Sequence, residues 1–313
     1  MAKPFFFGGY VAPTWTGDQK VEQTPLRAIR ENPMHEPDHT PSLQRAAGLI
    51  SAAYAILVVA GAGMGVDSGL PDFRGRNGFW NAYPALGRRR LDFTDIASPA
   101  AFDAVPDLAW GFYGHRLQTY RATPPHAGFG ILRRWIDARP LGGAVFTSNV
   151  DGHFQKAGFD KTLLLECHGS IHHLQCLTPC QPDIWSAQRF LPDVDIESGL
   201  LRKEPPRCPH CGGLARPNVL MFDDPGWLPA RTRAQARRLE HWLRDVERPV
   251  VIEIGAGTAV ATARGFTRRM AFERRAAVIR INPDDAAIHG DPRHVSLPMT
   301  ALEALRAIDQ RLA

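Results

Sequence analysis

At 313 residues and 44% hydrophobic content, the chain can bury the core of one large domain or two small ones. No apolar run is long enough to span a bilayer, and Met1 to Tyr10 lacks the long apolar core of a secretory signal, so the expected compartment is the cytoplasm, with no membrane partner. The formal net charge of +5 suits an acidic ligand such as a dinucleotide, but along the sequence it is too diffuse to argue for specific nucleic-acid binding.

Residues 1–41 hold several prolines and no sustained periodicity, and are expected to be an N-terminal extension. From Ser42, the apolar positions Leu43, Ala46, Ala47, Ile50, Ala53 and Tyr54 recur at helical spacing. They lead into the β-branched run Ile56 to Ala60, which breaks into glycines at alternate positions, Gly61, Gly63 and Gly65. That order reads as a helix, then a buried parallel strand, then a turn, the opening of a doubly wound α/β domain. Glycines there let the backbone approach a phosphate at a helix N-terminus. The plainer reading is a mobile turn, and the dehydrogenase fingerprint is excluded. The sixth position counted from Gly61 is Val66, and from Gly63 it is Ser68.

Residues 76–140 carry no convincing strand and are expected to be a helical insertion. Ser98-Pro99 reads as an N-cap with proline at the first helical position; Pro106 opens a helix to about Tyr120; a third covers His126 to Asp137. Gly143 to Thr147 is the next buried strand. Polar residues follow it at once, Ser148-Asn149-Val150-Asp151-Gly152-His153, where an open α/β sheet places ligands. Helix capping explains the same residue types equally well. Leu163 to Glu166 is a further strand, ending in the polar turn Cys167-His168-Gly169-Ser170. Taken alone, a histidine there is more often structural than catalytic, and Cys167 reads as a small buried residue.

All five cysteines fall between Cys167 and Cys211. Cys176 and Cys180, then Cys208 and Cys211, form C-x3-C and C-x2-C pairs able to supply four thiolates to a tetrahedral zinc. Such a site is closed to substrate, so the zinc module, about residues 172–215, is expected to be structural. The 27 residues between the pairs are expected to be an irregular excursion. Beyond them come a return strand from Arg216 to Phe222, a basic amphipathic helix from Ala230 to Glu247 and a strand from Val250 to Ile254. The last ends in Gly255-Ala256-Gly257-Thr258, a string also similar to the first motif of methyltransferases that use S-adenosylmethionine. That motif should open its fold, whereas this one arrives late. A strand at Ala277 to Asn282 and a helix from about Thr300 close the chain.

The order of these motifs resembles the sirtuin (Sir2) family over roughly residues 42–313. Gly61 to Gly75 resembles G-A-G-x-S-x-x-S-G-I-P-D-F-R-G, with Gly65 in place of serine. Thr147 to Gly158 resembles T-Q-N-I-D-x-L-H-x-x-A-G, with Ser148 for glutamine and Phe154 at the histidine position, one residue after His153. His168-Gly169-Ser170 matches the base motif. Arg216 to Asp224 resembles R-P-x-V-V-x-F-G-E, with Asp223-Asp224 for Gly-Glu, and Ala256 and Gly257 lose two hydroxyls of G-T-S-L-x-V.

The resemblance implies a Rossmann-like α/β fold with a small helical and zinc-binding lobe, and NAD in the cleft between. The implied activity is NAD-dependent removal of acyl groups from protein lysines, releasing nicotinamide and acyl-ADP-ribose. The implied catalytic roles are His168 as base, Asn149 at the ribose and Asp151 at the nicotinamide carboxamide. Phe73 would cover the reactive carbon and Arg74 would pair with the pyrophosphate. Gly61, Ala62, Gly63, Asp72, Ser148, Gly255, Gly257 and Asn282 complete the implied cofactor contacts, Asn282 at the adenosine ribose. Val219, Met221 and Phe222 would pair with the substrate backbone, a groove that Asp223 would obstruct or reshape. Tyr113 and Arg116, three apart on one helix face, match with Ala97 the trio marking sirtuins that prefer succinyl-, malonyl- or glutaryl-lysine. Two alternatives stand beside this reading: ADP-ribosyl transfer or NAD hydrolysis on the same fold, and a non-catalytic NAD-binding module. The oligomeric state is left open.

Overall fold

The structure is a computed structural model that describes residues 38–72 and 75–312. The extension up to residue 37, together with Phe73 and Arg74, lies outside the described residues. Eleven strands follow in chain order. The first three are β1 (Ile56–Ala60), β2 (Gly143–Thr147) and β3 (Leu164–Glu166). Next come β4 (Gly169–Cys176), β5 (Ile184–Ser186), β6 (Val194–Asp195), β7 (Leu200–Leu201) and β8 (Ala215–Val219). The last are β9 (Val250–Ile254), β10 (Val278–Ile281) and β11 (Val295–Leu297). Six of them form one sheet in the order β11-β10-β9-β1-β2-β3, with every neighbouring pair parallel. The winding leaves β1 in one direction through β2 and β3, and in the other through β9. A crevice between the two halves therefore opens at the carboxyl ends of β1 and β9.

The helices are α1 (Thr40–Ser51), α2 (Gly75–Ala82), α3 (Pro84–Arg88), α4 (Phe93–Ile96), α5 (Pro99–Ala104), α6 (Pro106–Ala122), α7 (Ala127–Asp137), α8 (His153–Lys156), α9 (Ala230–Asp245), α10 (Thr262–Glu273) and α11 (Ala301–Leu312). Two layers of them explain why the central strands are apolar at every position rather than at alternate ones. Ile56 and Val58 join a core shared with α1, α7 and α11. Their neighbours Leu57 and Val59 point the other way, into a core shared with α9 and α10. Among the described residues, no helix is long and apolar enough to cross a membrane.

The small lobe gathers α2 to α6 against β4 and β8 around Phe79, Phe102, Trp110 and Phe112. The expected helix starts at Pro99, Pro106 and His126 are present, with Ser98 Oγ accepting from the Ala101 amide and His126 Nδ1 from that of Gly128. Two expectations need correction. The turn after His168 runs on as β4, antiparallel to β8, with a register shift between Ser170 and Leu174. That irregularity hides the strand by breaking its alternation. The segment between the cysteine pairs is not irregular throughout: β5 pairs with β4, and the β6–β7 ribbon lies on α6. A Cβ at Gly111 of α6 would sit 1.9 Å from the Gly199 carbonyl oxygen, so glycine is what lets helix and ribbon touch.

The four cysteine sulfurs at the tip of this lobe lie within 4.8 Å of one another. Cys176 Sγ is 3.7 Å from Cys211 Sγ, and Cys180 Sγ is 3.6 Å from Cys208 Sγ. A disulfide needs about 2.05 Å. Thiolates placed tetrahedrally at 2.3 Å from a zinc stand about 3.8 Å apart, so the spacing fits a four-thiolate metal site.

Where the two halves of the main sheet meet, the loops after β1 and β9 cross in backbone contact. The Gly61 amide donates to the Ile254 carbonyl at 2.9 Å, and the Gly63 amide to that of Gly255 at 3.0 Å. Gly255 has φ +59°, and a Cβ there would lie 2.4 Å from Gly63 Cα. The sequence pattern suggests glycines that admit a phosphate; the fold also needs them to admit each other. Gly257 is different, with nothing within 4 Å of an added Cβ.

Two outcomes are expected. Gly255→Ala should lower unfolding stability by roughly 3 kcal/mol through left-handed strain and overlap with Gly63. Gly257→Ala should change it by about 0.5 kcal/mol or less. Urea melts giving equal effects would refute the crossing as a packing constraint. Metal analysis of the purified chain should find about one zinc, lost with the small lobe's structure in Cys208→Ser; folded protein free of zinc would overturn that assignment.

Candidate functional site

Among the described residues, several that the resemblance implies at the cofactor lie on the loops at the carboxyl ends of β1, β2 and β9. Asn149, just beyond β2, donates its Nδ2 to the Gly61 carbonyl at 2.9 Å, and so ties the β2 end to the first glycine loop. Its own amide is held by Thr147 Oγ1 at 3.0 Å. The Ser148 amide donates to the Ala60 carbonyl at 3.0 Å, so the residue standing for glutamine serves the β1–β2 junction. Ala62 is exposed, Gly63 half-buried, and Asp72 half-buried at the end of the same loop. Gly65, at the position of the expected serine, is buried, and a Cβ there would come within 3.2 Å of Leu70 Cδ1. The absent hydroxyl therefore belongs to a crowded site.

Asp151 is buried, with Oδ1 accepting from the His153 amide at 2.8 Å at the start of α8. Burial pushes its pKa up to about 6, against a smaller pull from that backbone hydrogen bond. His168, between β3 and β4, has the opposite shift. Burial drives its imidazole down to about 4, only partly offset by the Ser148 backbone. Its Nε2 lies 3.2 Å from Thr262 Oγ1 at the start of α10. Histidine 168 is thus neutral at pH 7 while Asp151 remains mostly anionic. Cys167 beside it is buried and its thiol is pushed far up by desolvation, so it is no nucleophile.

Asn282 departs from a simple ribose contact. Its Nδ2 donates to the Ala256 carbonyl at 3.1 Å, while Oδ1 accepts from the amides of Asp284 and Asp285. Arg264 Nε donates to the same Ala256 carbonyl at 2.9 Å. Together they clamp the second glycine loop, with Gly257 exposed beyond the clamp. Arg264 and Thr262 carry no signature of their own in the sequence. Their position at the helix after a glycine loop is the signal that would have found them.

The strand implied to meet substrate is shorter than expected, ending at Val219 opposite Gly169. Met221 and Phe222 continue in a segment whose amides are already used. Leu220 donates to the His168 carbonyl, Met221 to Asp224 Oδ2, and Phe222 to the Ala97 carbonyl. Asp224 replaces the longer glutamate of the pattern, yet still pairs with Arg216 at 2.6 and 2.7 Å, both side chains fully buried. Asp223 at the glycine position takes φ +48° and is exposed, so the turn is kept at a strain that aspartate bears better than most residues.

Tyr113 and Arg116 are both buried on α6, the guanidinium carbon 5.6 Å from the Tyr113 ring centre and 5.2 Å from that of Phe112. The phenol that holds Arg116 is a different one. Nε and Nη2 donate to the Tyr120 hydroxyl at 3.0 and 2.8 Å. Tyr120 lies one further turn along the same face, a spacing that identifies it once Arg116 is suspected. Ala97 is buried, and its carbonyl accepts from the Phe222 amide at 3.0 Å. Among the described residues, the four zinc-module cysteines are the one cluster with metal-holding geometry.

These features agree with what the chain is similar to. The Sir2 family model matches residues 61–261. An NAD-dependent protein deacylase of Aeropyrum pernix is 33% identical over 82% of this chain and 91% of its own length. One from Aquifex aeolicus is 31% identical over 74% and 85%. A solved Sir2 enzyme structure superposes with TM-score 0.64 at 25% identity, over 87% of this chain and 98% of that one. With the family model spanning residues 61–261 and a relative 33% identical over most of both chains, the chain belongs to the Sir2 family.

Proposed function

We propose that the chain is an NAD-dependent protein-lysine deacylase acting on acyl groups that end in a carboxylate. The observation that carries the reading is His168, a half-buried imidazole kept neutral by desolvation, in the turn after β3 and against the Ser148 backbone of the β2 loop that also carries Asn149 and Asp151. The relatives from Aeropyrum and Aquifex, named as NAD-dependent protein deacylases, support the same chemistry. A solved Sir2 homologue in complex with NAD shares the fold at TM-score 0.62 and 24% identity. NAD, when bound, supplies the nicotinamide–ribose bond whose cleavage exposes a carbon to the acyl oxygen.

The chain's residues do the rest. Asp151, buried and mostly ionised at neutral pH, is an acceptor for a carboxamide N–H. Asn149 holds the first glycine loop against the β2 end and is placed to meet a ribose hydroxyl. His168 accepts a proton from a ribose hydroxyl, with Nε2, the atom facing Thr262, as its expected site. Partial desolvation keeps the imidazole neutral and able to accept. Arg116, with Tyr113 beside it and Ala97 joined to the Phe222 backbone, supports an acidic acyl terminus: a buried guanidinium is a strong, directional carboxylate partner.

The same cleavage followed by ADP-ribosyl transfer or hydrolysis would give different products. Mass spectrometry with NAD and acetyl- or succinyl-lysine peptides distinguishes them, and acyl-ADP-ribose is expected. His168→Ala should abolish that product while NAD affinity stays within several-fold, and loss of NAD binding by the folded variant would contradict the base role. Because burial lowers its pKa, His168 stays neutral as pH falls through the usual histidine range. In ¹³C-labelled histidine spectra its titration midpoint is expected near pH 4; a midpoint of 6 or above would refute the desolvated setting.

Arg116→Met should remove a charge-assisted contact of roughly 1.5–3 kcal/mol, about 10- to 150-fold in kcat/KM toward succinyl-lysine. Acetyl-lysine turnover should hold or improve. Equal losses on both substrates, or a wild type that prefers acetyl-lysine, would sink the acidic preference.

A further inference from the structure

The net charge that looks diffuse along the sequence is concentrated by the fold. Residues 230–275 contain eleven arginines against five acidic residues, a net +6, so the remainder of the 313-residue chain is close to neutral at −1. Of the five acids, Glu253 is buried and paired with Arg280, and so offsets nothing outside. The arginines belong to α9, α10 and the turns that follow them. Both helices lie on one side of the main sheet, Leu239 and Leu243 of α9 joining Phe266 and Met270 of α10 in a single core. Their adjacency is direct: Glu240 lies in the field of Arg237 and Arg244 on its own helix and of Arg269 on α10. Arg274 Nη1 donates to the Val246 carbonyl where the helices end.

With their apolar sides inward, the helices turn arginine outward. Arg233, Arg237 and Arg244 are exposed along α9 and Arg248 in the turn after it; Arg268 is exposed on α10 and Arg275 just past its end. Among the described residues, none of these six lies within ion-pair distance of a carboxylate, whereas the opposite layer pairs Arg134 with Asp309. Complementing the negative helix C-termini accounts for Arg244, Arg274 and Arg275, but not for Arg233 or Arg237 in the first half of α9. Phe272 is 87% exposed and lies one turn from both Arg268 and Arg275. An ordinary solvated face gains nothing from an aromatic side chain there; a duplex backbone offers it the apolar faces of the sugars between the phosphates.

We infer that the outer face of α9 and α10 is a docking surface for duplex nucleic acid, held through its phosphates. Arg233 to Arg244 spans about 17 Å of helix, long enough to follow several consecutive phosphates of one strand, and Arg268 and Arg275 add two guanidinium groups from the neighbouring segment. Guanidinium groups suit phosphate because they donate two N–H bonds in one plane. The face lies along the flank of the sheet, and Arg248 and Arg275 stand at the amino ends of β9 and β10. The crevice lies at the carboxyl ends, so occupancy of this face leaves it open.

The experiment measures fluorescence anisotropy of the full chain, without NAD, against a 24-base-pair mixed-sequence DNA duplex and an RNA duplex of the same sequence. The expected dissociation constant is roughly 1–100 μM at physiological salt, with a log–log salt slope of about −5 for six phosphate contacts. The triple variant Arg237→Gln, Arg244→Gln, Arg268→Gln should bind at least tenfold more weakly, with a slope nearer −2 to −3. The control Arg306→Gln, Arg311→Gln on α11 loses two charges elsewhere and should bind as wild type. Binding equal in the triple variant and wild type, or equally weakened in the control, overturns the proposal. So does tighter association with phosphatidylglycerol vesicles than with either duplex, which would give the face to a membrane surface. Binding to both duplexes supports phosphate recognition as such, and preference for one identifies which duplex is read. Peptide deacylation by the triple variant should remain within twofold of wild type, so failure here is separable from failure of the deacylase reading.

Discussion

The backbone crossing between the loops after β1 and β9 is the constraint on which the rest of the site depends. Two chain segments from opposite halves of the sheet touch with no side chain between them, Gly61 and Gly63 donating to the Ile254 and Gly255 carbonyls. The crossing brings together the carboxyl ends of the strands on either side of the topological switch. Everything later placed at the crevice is tied to it: Asn149 holds Gly61 from the β2 side, while Asn282 and Arg264 hold Ala256 from the β10 and α10 side. A loop fastened at both flanks keeps its shape before a ligand arrives, so less ordering entropy is lost when one binds.

A second set of constraints is ionic and buried. Arg216–Asp224 fastens the turn after β8 to the strand itself, and Glu166–Arg231 joins the end of β3 to α9. Glu253–Arg280 links two neighbouring strands. Buried pairs add little net stability over apolar substitutes, but each penalises any arrangement that separates its partners. That penalty defines the geometry of the 220–228 turn. Gln175 and Asn218 add to it through hydrogen bonds to one another and to the backbone of Gly226 and Leu228. The strained Asp223 is held in place by this surrounding framework rather than by its own preference.

Desolvation shifts the two titrating groups at the crevice in opposite directions by one mechanism. A dry setting disfavours charge, raising the Asp151 carboxyl and lowering the His168 imidazole. The carboxylate becomes a readier proton and hydrogen-bond acceptor than a surface aspartate. The imidazole is kept unprotonated under conditions in which a surface histidine would be partly charged. Desolvation therefore keeps the imidazole in the unprotonated state that the proposed base role needs, with its Nε2 3.2 Å from the Thr262 hydroxyl.

Local patterns determined much of this protein. Unbroken apolar runs marked five of the six main-sheet strands, because burial on both faces removes alternation. Ser98, His126 and the helix-opening prolines marked helix starts, because capping chemistry is local. Cysteine spacing located the metal site, because four ligands within two knuckles need little help from the rest of the chain. The motif order around Gly61, Asn149 and His168 was likewise legible.

What only the tertiary structure decided depended on contacts far apart in sequence. The bulged β4 and the ribbon on α6 had no clean period to read. Tyr120 holds Arg116 from one turn further along α6; Asn282 spends its hydrogen bonds inside the protein; and Gly255 is required by Gly63, almost two hundred residues earlier. The arginines of α9 and α10, unremarkable as a linear count, became one surface because both helices bury their apolar sides in the same layer. Periodicity reports which side of an element is buried. Which other element buries it, and what therefore lies side by side on the outside, is settled only when the sheet is assembled.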